Sequence, residues 1–235
     1  MKSYLMLGQS NMAGRGDFGE VAEIQNPLCK MLRNGKWIPM REPINPDRGI
    51  FDYFHSGVGL AASFADAYAK HFNEEIGLIP CADGGTMLAE WQPGEILYDH
   101  AVAMAKLAQR SAEIVGILWH QGESDSNSEE KVKAYRSRFL HMISSLLRDL
   151  SLPESTPIIT GELGEFVARY KDGTYVYHKD INAIFHALSD EYENIGVASA
   201  QGLVCKEDGI HFTSAAYRTL GKRYFEEYLK IRGCI

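Results

Sequence analysis

The chain has 235 residues, of which 45% are hydrophobic and 23% are charged. These values match soluble globular proteins and exclude disordered, collagen-like and fibrous classes. Its 31 acidic residues outnumber its 24 Lys and Arg residues, and the resulting net charge of −7 argues against a nucleic acid partner. From the length we expect a single domain over residues 1–235.

The cysteines and the apolar runs define the expected environment of the protein. The four cysteines are scattered and share no CxxC spacing, so we expect neither a disulfide framework nor a zinc site: Cys29, Cys81, Cys205 and Cys234. The apolar runs are far shorter than the roughly 18 residues that indicate a membrane span, and the first residues lack the apolar core of a secretory signal. We therefore expect a cytoplasmic protein without a membrane partner.

Short apolar runs alternate with longer segments of helical periodicity, which is typical of βαβ units and a parallel sheet. The predicted strands are Ser3–Gly8, Ile76–Cys81, Val115–His120, Pro157–Gly161 and Ile195–Ala200. The predicted helices are Gly57–Phe72, Leu97–Glu113, Glu129–Leu150, Lys179–Leu188 and Thr213–Ile231. Together they predict a three-layer α/β sandwich, flavodoxin-like in outline, in which helices flank a five-stranded parallel sheet.

Two local features complete the predicted fold. Ser126 with Glu129 three residues later has the spacing of a capping box, which would begin the long helix. The segment from Asp17 to Ser56 carries four prolines and no clear periodicity. We interpret it as an ordered excursion beside the end of the first strand, and loops of this length are usually functional or mobile.

Polar residues follow four of the five predicted strands, where an open parallel sheet binds its ligands. They are Gly8-Gln9-Ser10-Asn11, Ala82-Asp83-Gly84-Gly85-Thr86, Gln121-Gly122-Glu123-Ser124-Asp125 and Asp208-Gly209-Ile210-His211. A packed core alone does not require polar residues at all four strand ends. The pattern indicates a site at this edge of the sheet.

Ser10, His211 and Asp208 have the residue types of a nucleophile, its base and the acid that orients the base. A serine hydroxyl is a poor nucleophile until a base removes its proton. A histidine does this best when a carboxylate fixes its tautomer. On a helical turn the i and i+3 spacing would put Asp208 and His211 on one face. Capping of the closing helix is the alternative interpretation of this pair.

Four ordered blocks carry a resemblance to a known family: GQSNMAGRG at residues 8–16, CADGGTMLAEW at 81–91, WHQGESD at 119–125 and DGIH at 208–211. They resemble the SGNH-hydrolase superfamily. The branch they resemble more closely comprises the sialic acid-specific acetylesterase-like proteins and the family 6 carbohydrate esterases, which are related to acetylxylan esterases. The blocks span nearly the whole chain and point to the family more strongly than to the substrate.

The resemblance implies a set of site residues and a chemistry without metal or organic cofactor. It implies Ser10 as nucleophile, His211 as general base and then acid, and Asp208 as its orienting acid. It also implies an oxyanion hole formed by the Ser10 backbone N–H, an N–H of Gly84 or Gly85, and the side-chain amide of Gln121. That Gln stands where the wider superfamily has Asn.

Glu123 leaves the identity of the acid open. In the resembled branch this Glu has also been proposed to assist or replace the Asp, and the short tether between Asp208 and His211 favours Asp208. The alternative interpretation of Glu123 is a buried acceptor that braces its loop. His120, which lies beside it in the chain, is interpreted as a hydrogen-bonded structural histidine.

Substrate contacts are expected from Asn11 and Trp91, the latter as a wall on which a sugar ring stacks. Trp37 and Tyr53 are interpreted as core or loop-anchoring aromatics instead. The GxGxxG match at residues 14–19 is not followed by a helix, so a dinucleotide site is not expected. Met12 breaks the GxSxG pattern of α/β-hydrolases around Ser10.

The sequence thus predicts a serine esterase that removes O-acetyl groups from a carbohydrate such as an acetylated xylooligosaccharide or sialic acid. Two alternatives remain open. One is an SGNH lipase or thioesterase that acts on other acyl esters. The other is a non-catalytic carbohydrate-binding protein with the same fold. The sequence leaves the oligomeric state undetermined.

Overall fold

The computed structural model describes residues 1–47 and 55–234. Its central sheet has the strands β1 (Lys2–Gly8), β2 (Cys29–Arg33), β3 (Lys36–Pro39), β4 (Ile76–Pro80), β5 (Glu113–His120), β6 (Ile158–Gly161) and β7 (Ile195–Ala198). They lie in the order β3-β2-β4-β1-β5-β6-β7. Strand β3 is antiparallel to β2, and the other neighbouring pairs are parallel.

The helices of the described residues are α1 (Ser10–Ala13), α2 (Leu60–Phe72), α3 (Ile96–Ala108), α4 (Glu129–Asp149), α5 (His178–Glu191) and α6 (Ser214–Ile231). Short 3₁₀ segments occupy Leu88–Trp91, Glu123–Asp125 and Glu165–Gly173, the last interrupted by non-helical backbone at residues 170–172. None of these helices combines the length and the apolar character needed to cross a bilayer.

Alternating side chains of the central strand divide the core into two halves. Tyr4 and Met6 of β1 pack with α2 and α6, whereas Leu5 and Leu7 pack with α3, α4 and α5. Successive side chains of a strand point to opposite faces of the sheet, so β1 needs apolar residues on both. The predicted three-layer α/β architecture is therefore confirmed.

The count of five strands is wrong, because the segment from Asp17 to Ser56 contains a β-hairpin. Asn34 and Gly35 join β2 to β3 with φ values of +50° and +74°. An Asn-Gly pair with both φ angles positive is the preferred two-residue hairpin turn. Strand β2 pairs with β4 and extends the sheet, and β3 forms its antiparallel edge.

The predicted capping box is also wrong. Helix α4 begins at Glu129, and its N-cap is Ser128, whose side chain accepts from the Lys131 backbone N–H. Glu129 is therefore the first residue of the helix and cannot fill the third position that a capping box needs. Ser126 is fully buried, and its hydroxyl instead donates to the Glu123 carbonyl at 2.8 Å.

Gly8 brings the carboxyl ends of β1 and β5 into direct contact. A Cβ atom at this position would lie 2.1 Å from the His120 carbonyl oxygen, and φ is +130°. Only glycine tolerates both conditions. The next residue, Gln9, donates its backbone N–H to the same carbonyl at 2.9 Å. The start of α1 is thereby held against the loop that follows β5.

Candidate active site

Ser10 is the first residue of α1 and directly follows the turn after β1. It is 6% exposed. The first N–H groups of a helix have no partner within that helix. The position therefore gives Ser10 a hydroxyl at the sheet edge and a backbone N–H at a helix start.

The structure brings Ser10, His211 and Asp208 together. Ser10 Oγ lies 2.9 Å from His211 Nε2, and His211 Nδ1 lies 2.8 Å from Asp208 Oδ2. A carboxylate only accepts hydrogen bonds, so the histidine proton is assigned to Nδ1. Nε2 then presents its lone pair to the serine hydroxyl, which is the arrangement required for proton removal.

The segment that carries Asp208 and His211 is a turn, and the helical spacing expected from the sequence is not present. Asp208 Oδ1 accepts the backbone N–H groups of Ile210 and His211, each at 3.0 Å. Such Asx turns hold a carboxylate against the residues that follow it. One oxygen of Asp208 therefore fixes the turn while the other binds the imidazole.

The pKa values of this pair shift in the direction that suits a base and its acid partner. Burial alone would raise the pKa of Asp208, but the hydrogen bonds from the backbone of His211 and Ile210 and from the imidazole together lower it. Burial lowers the pKa of His211; the contact with Asp208 opposes this, and the positive charge of Arg15 adds to it. Near neutral pH the carboxylate is ionised and the imidazole is neutral.

Gly84 and Gly85 differ in their distance from Ser10. A Cβ atom built on Gly84 would lie 3.6 Å from Ser10 Cβ, whereas a Cβ atom on Gly85 would meet nothing within 4 Å. Asn45 holds this loop by exchanging two hydrogen bonds of 3.0 Å with the backbone of Ala82. Of the two glycines, Gly84 is the one beside the serine.

The structure does not direct the Gln121 amide toward Ser10, in contrast to the expected oxyanion hole. Gln121 is fully buried. Its Nε2 donates to the Thr86 carbonyl at 3.0 Å and to Asp125 Oδ2 at 2.5 Å. Its Oε1 accepts the Tyr135 hydroxyl at 2.8 Å. Both amide protons are used inside the protein, so the side chain braces the loop after β5.

Glu123 contacts other residues than His211. It is fully buried and accepts a hydrogen bond of 2.5 Å from Asn11 Nδ2. His120 Nε2 lies 3.7 Å from its Oε1. Asp208, and not Glu123, is therefore the carboxylate that contacts Nδ1 of His211.

The two expected substrate-binding residues are buried and do not face the cleft. Asn11 is 1% exposed, and its side chain is hydrogen-bonded within the protein. Trp91 is also 1% exposed; its Nε1 donates to Thr86 Oγ1 at 3.1 Å, and its ring packs edge-to-face on Trp119. Trp91 is therefore a core residue. Trp37 lies on β3 and bonds Ser111, and Tyr53 lies outside the described residues.

Two clefts border the site and contain residues that sequence reasoning missed. One has a volume of about 360 Å³ and is lined by Phe18, Asp208 and His211 among others. A smaller one is lined by Asn45 and Gly84, and Arg15 borders both. Phe18 is 60% exposed. Arg15 lies within the serine block of residues 8–16 and Phe18 lies two residues after it, and that proximity is the signal that could have found them.

These side chains lie together at the carboxyl edge of the sheet in a three-layer α/β fold. Residues 1–230 match the family described as carbohydrate esterase, sialic acid-specific acetylesterase. The chain belongs to this family and is a carboxylic ester hydrolase.

Similar proteins cover almost the entire chain. A probable carbohydrate esterase from Arabidopsis thaliana is 32% identical over 248 residues, which cover 96% of this chain and 89% of that protein. An X-ray structure of an Arabidopsis thaliana protein superposes with a TM-score of 0.84 at 30% identity and covers 97% of both chains. The crystal structure of NanS gives a TM-score of 0.76 at 18% identity, covering 100% of this chain and 98% of that chain. At that identity the likeness to NanS is one of fold.

Proposed function

We propose that the domain of residues 1–235 is a serine esterase that removes O-acetyl groups from carbohydrates, with Ser10, His211 and Asp208 as its triad. The observation that carries this proposal is the contact of 2.9 Å between Ser10 Oγ and His211 Nε2. These residues are 201 positions apart in the chain. Membership of a carbohydrate acetylesterase family supports an acetylated carbohydrate as substrate.

The proposed reaction has two halves that share one base. Ser10 Oγ attacks the acetyl carbonyl carbon while His211 Nε2 takes the hydroxyl proton. The tetrahedral intermediate collapses, and the sugar oxygen leaves with the proton that His211 returns. Water then attacks the acetyl-serine, His211 takes a proton from the water and gives it to Ser10 Oγ, and acetate is released.

The oxyanion of each tetrahedral intermediate is assigned to two backbone donors. The Ser10 N–H stands at the start of α1, and Gly84 lies beside the serine. Donors held in place before the reaction stabilise the developing charge without reorganisation. The buried Gln121 contributes by joining the loop after β4, at Thr86, to the segment after β5, at Asp125.

Acetate release from a substrate panel tests the proposal. Acetylated xylooligosaccharides, acetylated sialic acids and simple sugar acetates are compared with p-nitrophenyl esters of increasing acyl length. We expect release from at least one carbohydrate class and a steep loss of rate beyond acetyl or propionyl. A preference for long acyl chains would indicate a lipase or thioesterase instead. Sugar affinity without ester cleavage would indicate a binding protein.

The pH dependence of kcat/KM is expected to report the titration of His211. The neutral imidazole is the active form, so activity should rise with pH as His211 loses its proton. Because burial lowers the pKa of His211, the midpoint should lie below its ordinary value of 6.5. Rates with p-nitrophenyl acetate between about pH 4 and 8 measure it. A midpoint above 6.5 would contradict this assignment.

Phe18→Ala is expected to raise KM for a carbohydrate ester several-fold while kcat changes little. Phe18 is an exposed aromatic side chain in the cleft that contains His211. A sugar ring that packs on it would bury apolar surface worth on the order of 1 kcal/mol. Ile96→Ala removes another exposed apolar side chain, outside that cleft, and serves as control. An unchanged KM for carbohydrate esters would remove Phe18 from the binding site.

A further inference from the structure

Asn11 joins the residues on both sides of His211 to the helix that carries Ser10. Its Nδ2 donates to the Ile210 carbonyl at 3.1 Å, and its Oδ1 accepts the Phe212 backbone N–H at 3.4 Å. The Tyr217 hydroxyl donates to the same Oδ1 at 2.6 Å. The second Nδ2 proton goes to Glu123 Oε1 at 2.5 Å. The buried Asn11 thus connects four segments: α1, the residues beside His211, α6 and the 3₁₀ turn of Glu123.

The hydrogen bonds around His120 determine which of its ring nitrogens carries the proton. The Tyr224 hydroxyl donates its single proton to the Trp119 carbonyl at 2.8 Å. His120 Nδ1 lies 2.9 Å from the same hydroxyl oxygen and must therefore be the donor. Nε2 then carries a lone pair, and within the described residues it has no hydrogen-bond partner. Its neighbour is Glu123 Oε1, at 3.7 Å.

The carboxyl group of Glu123 faces this lone pair, and it also lacks a hydrogen-bond partner at one of its oxygens. Its Oε2 has no partner within the part of the chain that the structure describes. An ionised carboxylate would place an oxygen lone pair against the lone pair of Nε2, and it would leave a negative charge in the core. A protonated carboxyl supplies the missing proton. If Glu123 Oε1 and His120 Nε2 approached each other by under about 1 Å, they would form a hydrogen bond of ordinary length.

The titratable groups around Glu123 give an ionised carboxylate little support. They are His120 at the end of β5, Asp125 in the same 3₁₀ turn, and the hydroxyls of Tyr135, Tyr217 and Tyr224 from α4 and α6. Burial raises the pKa of Glu123 to about 7, against the opposing hydrogen bonds from Asn11 and from its own backbone N–H, and Asp125 adds to the rise. Burial also lowers the pKa of His120 to about 3, so the imidazole stays neutral.

We propose that Glu123 is a positioning residue that acts as a neutral carboxylic acid, held between Asn11 and His120. It orients the Asn11 amide, and Asn11 in turn holds the His211 segment against Ser10. This inference rests on the proposed function for its effect on turnover, but the state of the carboxyl group is independent of it. Under this proposal Glu123 is not the acid partner of His211.

Glu123→Gln is the informative variant, because an amide keeps the shape of the side chain and, like the neutral acid, carries no charge. Its oxygen can accept from Asn11 in the place of Oε1, and its NH₂ then takes the place of Oε2. We expect a folded protein whose kcat/KM for p-nitrophenyl acetate falls by less than tenfold. Glu123→Ala and Asn11→Ala leave buried polar groups unpaired, and we expect each to lower kcat about 100-fold with little change in KM. A loss of about 10³-fold or more in a folded Glu123→Gln variant would overturn the proposal.

Equilibrium unfolding against pH gives a readout that does not depend on turnover. The folded state binds the Glu123 proton up to about pH 7, whereas the unfolded chain loses it near the ordinary value of 4.5. The folded protein therefore loses stability as pH rises between these values. In this window the ratio of the wild-type unfolding constant to that of Glu123→Gln should rise by up to about tenfold per pH unit.

Two results of this measurement would overturn the proposal. One is a ratio of unfolding constants that does not change with pH in that window, and the other is a Glu123→Gln variant that fails to fold. The titration of His120 has the opposite sign and occurs in both proteins, so it largely cancels in the ratio. A wild type without esterase activity would refute the proposed function but leave this unfolding result intact.

Discussion

Ser10→Ala is expected to lower kcat/KM for p-nitrophenyl acetate by about 10⁴- to 10⁶-fold, the range found when a catalytic serine is removed from a triad. Ser10 Oγ is the atom that forms the acyl bond in the proposed reaction, and its contact with His211 Nε2 is what activates it. Without the hydroxyl, the proposed oxyanion donors and the cleft remain, but no acyl-enzyme can form. KM should change far less than kcat.

A matched control separates the loss of the nucleophile from the loss of a hydroxyl in general. Ser144 is exposed on α4, where it bonds the His141 carbonyl, so Ser144→Ala should retain full activity. An organophosphonate should label the wild type at Ser10, as peptide mass analysis would show, and should not label Ser10→Ala. Equal rates in the wild type and Ser10→Ala would end the proposed mechanism.

Asp208→Asn is expected to lower kcat by about 10³- to 10⁴-fold, the range seen when the acid of a triad is replaced by its amide. Asp208 Oδ2 accepts the Nδ1 proton of His211 and thereby leaves Nε2 free to receive the serine proton. An asparagine NH₂ in that place favours the opposite tautomer, in which Nε2 already carries a proton. The midpoint of the pH profile of the residual activity should shift to lower pH, because Asp208 raises the pKa of His211 in the wild type.

Two variants make this test specific for the acid. Glu207→Gln removes the same charge from the neighbouring exposed residue and should leave kcat within about twofold of the wild type. Comparison with Glu123→Gln decides between the two carboxyl groups. If Asp208→Asn were nearly fully active while Glu123→Gln lost three orders of magnitude, Glu123 would be the acid.

The five parallel strands β1, β4, β5, β6 and β7 were predictable because burial on both faces requires apolar runs. Strand β4, for example, is buried at each of its five residues. The hairpin of β2 and β3 was missed because β3 is short and half exposed, with the burial pattern of an edge strand. Its local signal was nonetheless present in Asn34 and Gly35, whose turn preference does not depend on the core.

Within the site, the residues that sequence reasoning could bring together were those at strand ends. Parallel strands end at one edge, so Ser10 and the Asp208 to His211 segment were expected to meet there, and they do. The directions of Gln121 and Trp91 could not be predicted in this way. The Gln121 amide is turned inward by Asp125 and Thr86, which only the folded chain places beside it.

The distance along the chain between Ser10 and His211 also makes the site a late product of folding. Contacts between residues 201 positions apart require closure of a very long loop, and such contacts generally form after local ones. A nascent polypeptide that has not yet reached residue 208 would carry the proposed nucleophile without its proposed base. Recovery of hydrolysis after dilution from denaturant should therefore lag behind recovery of helical circular dichroism, because only a completed chain topology restores turnover.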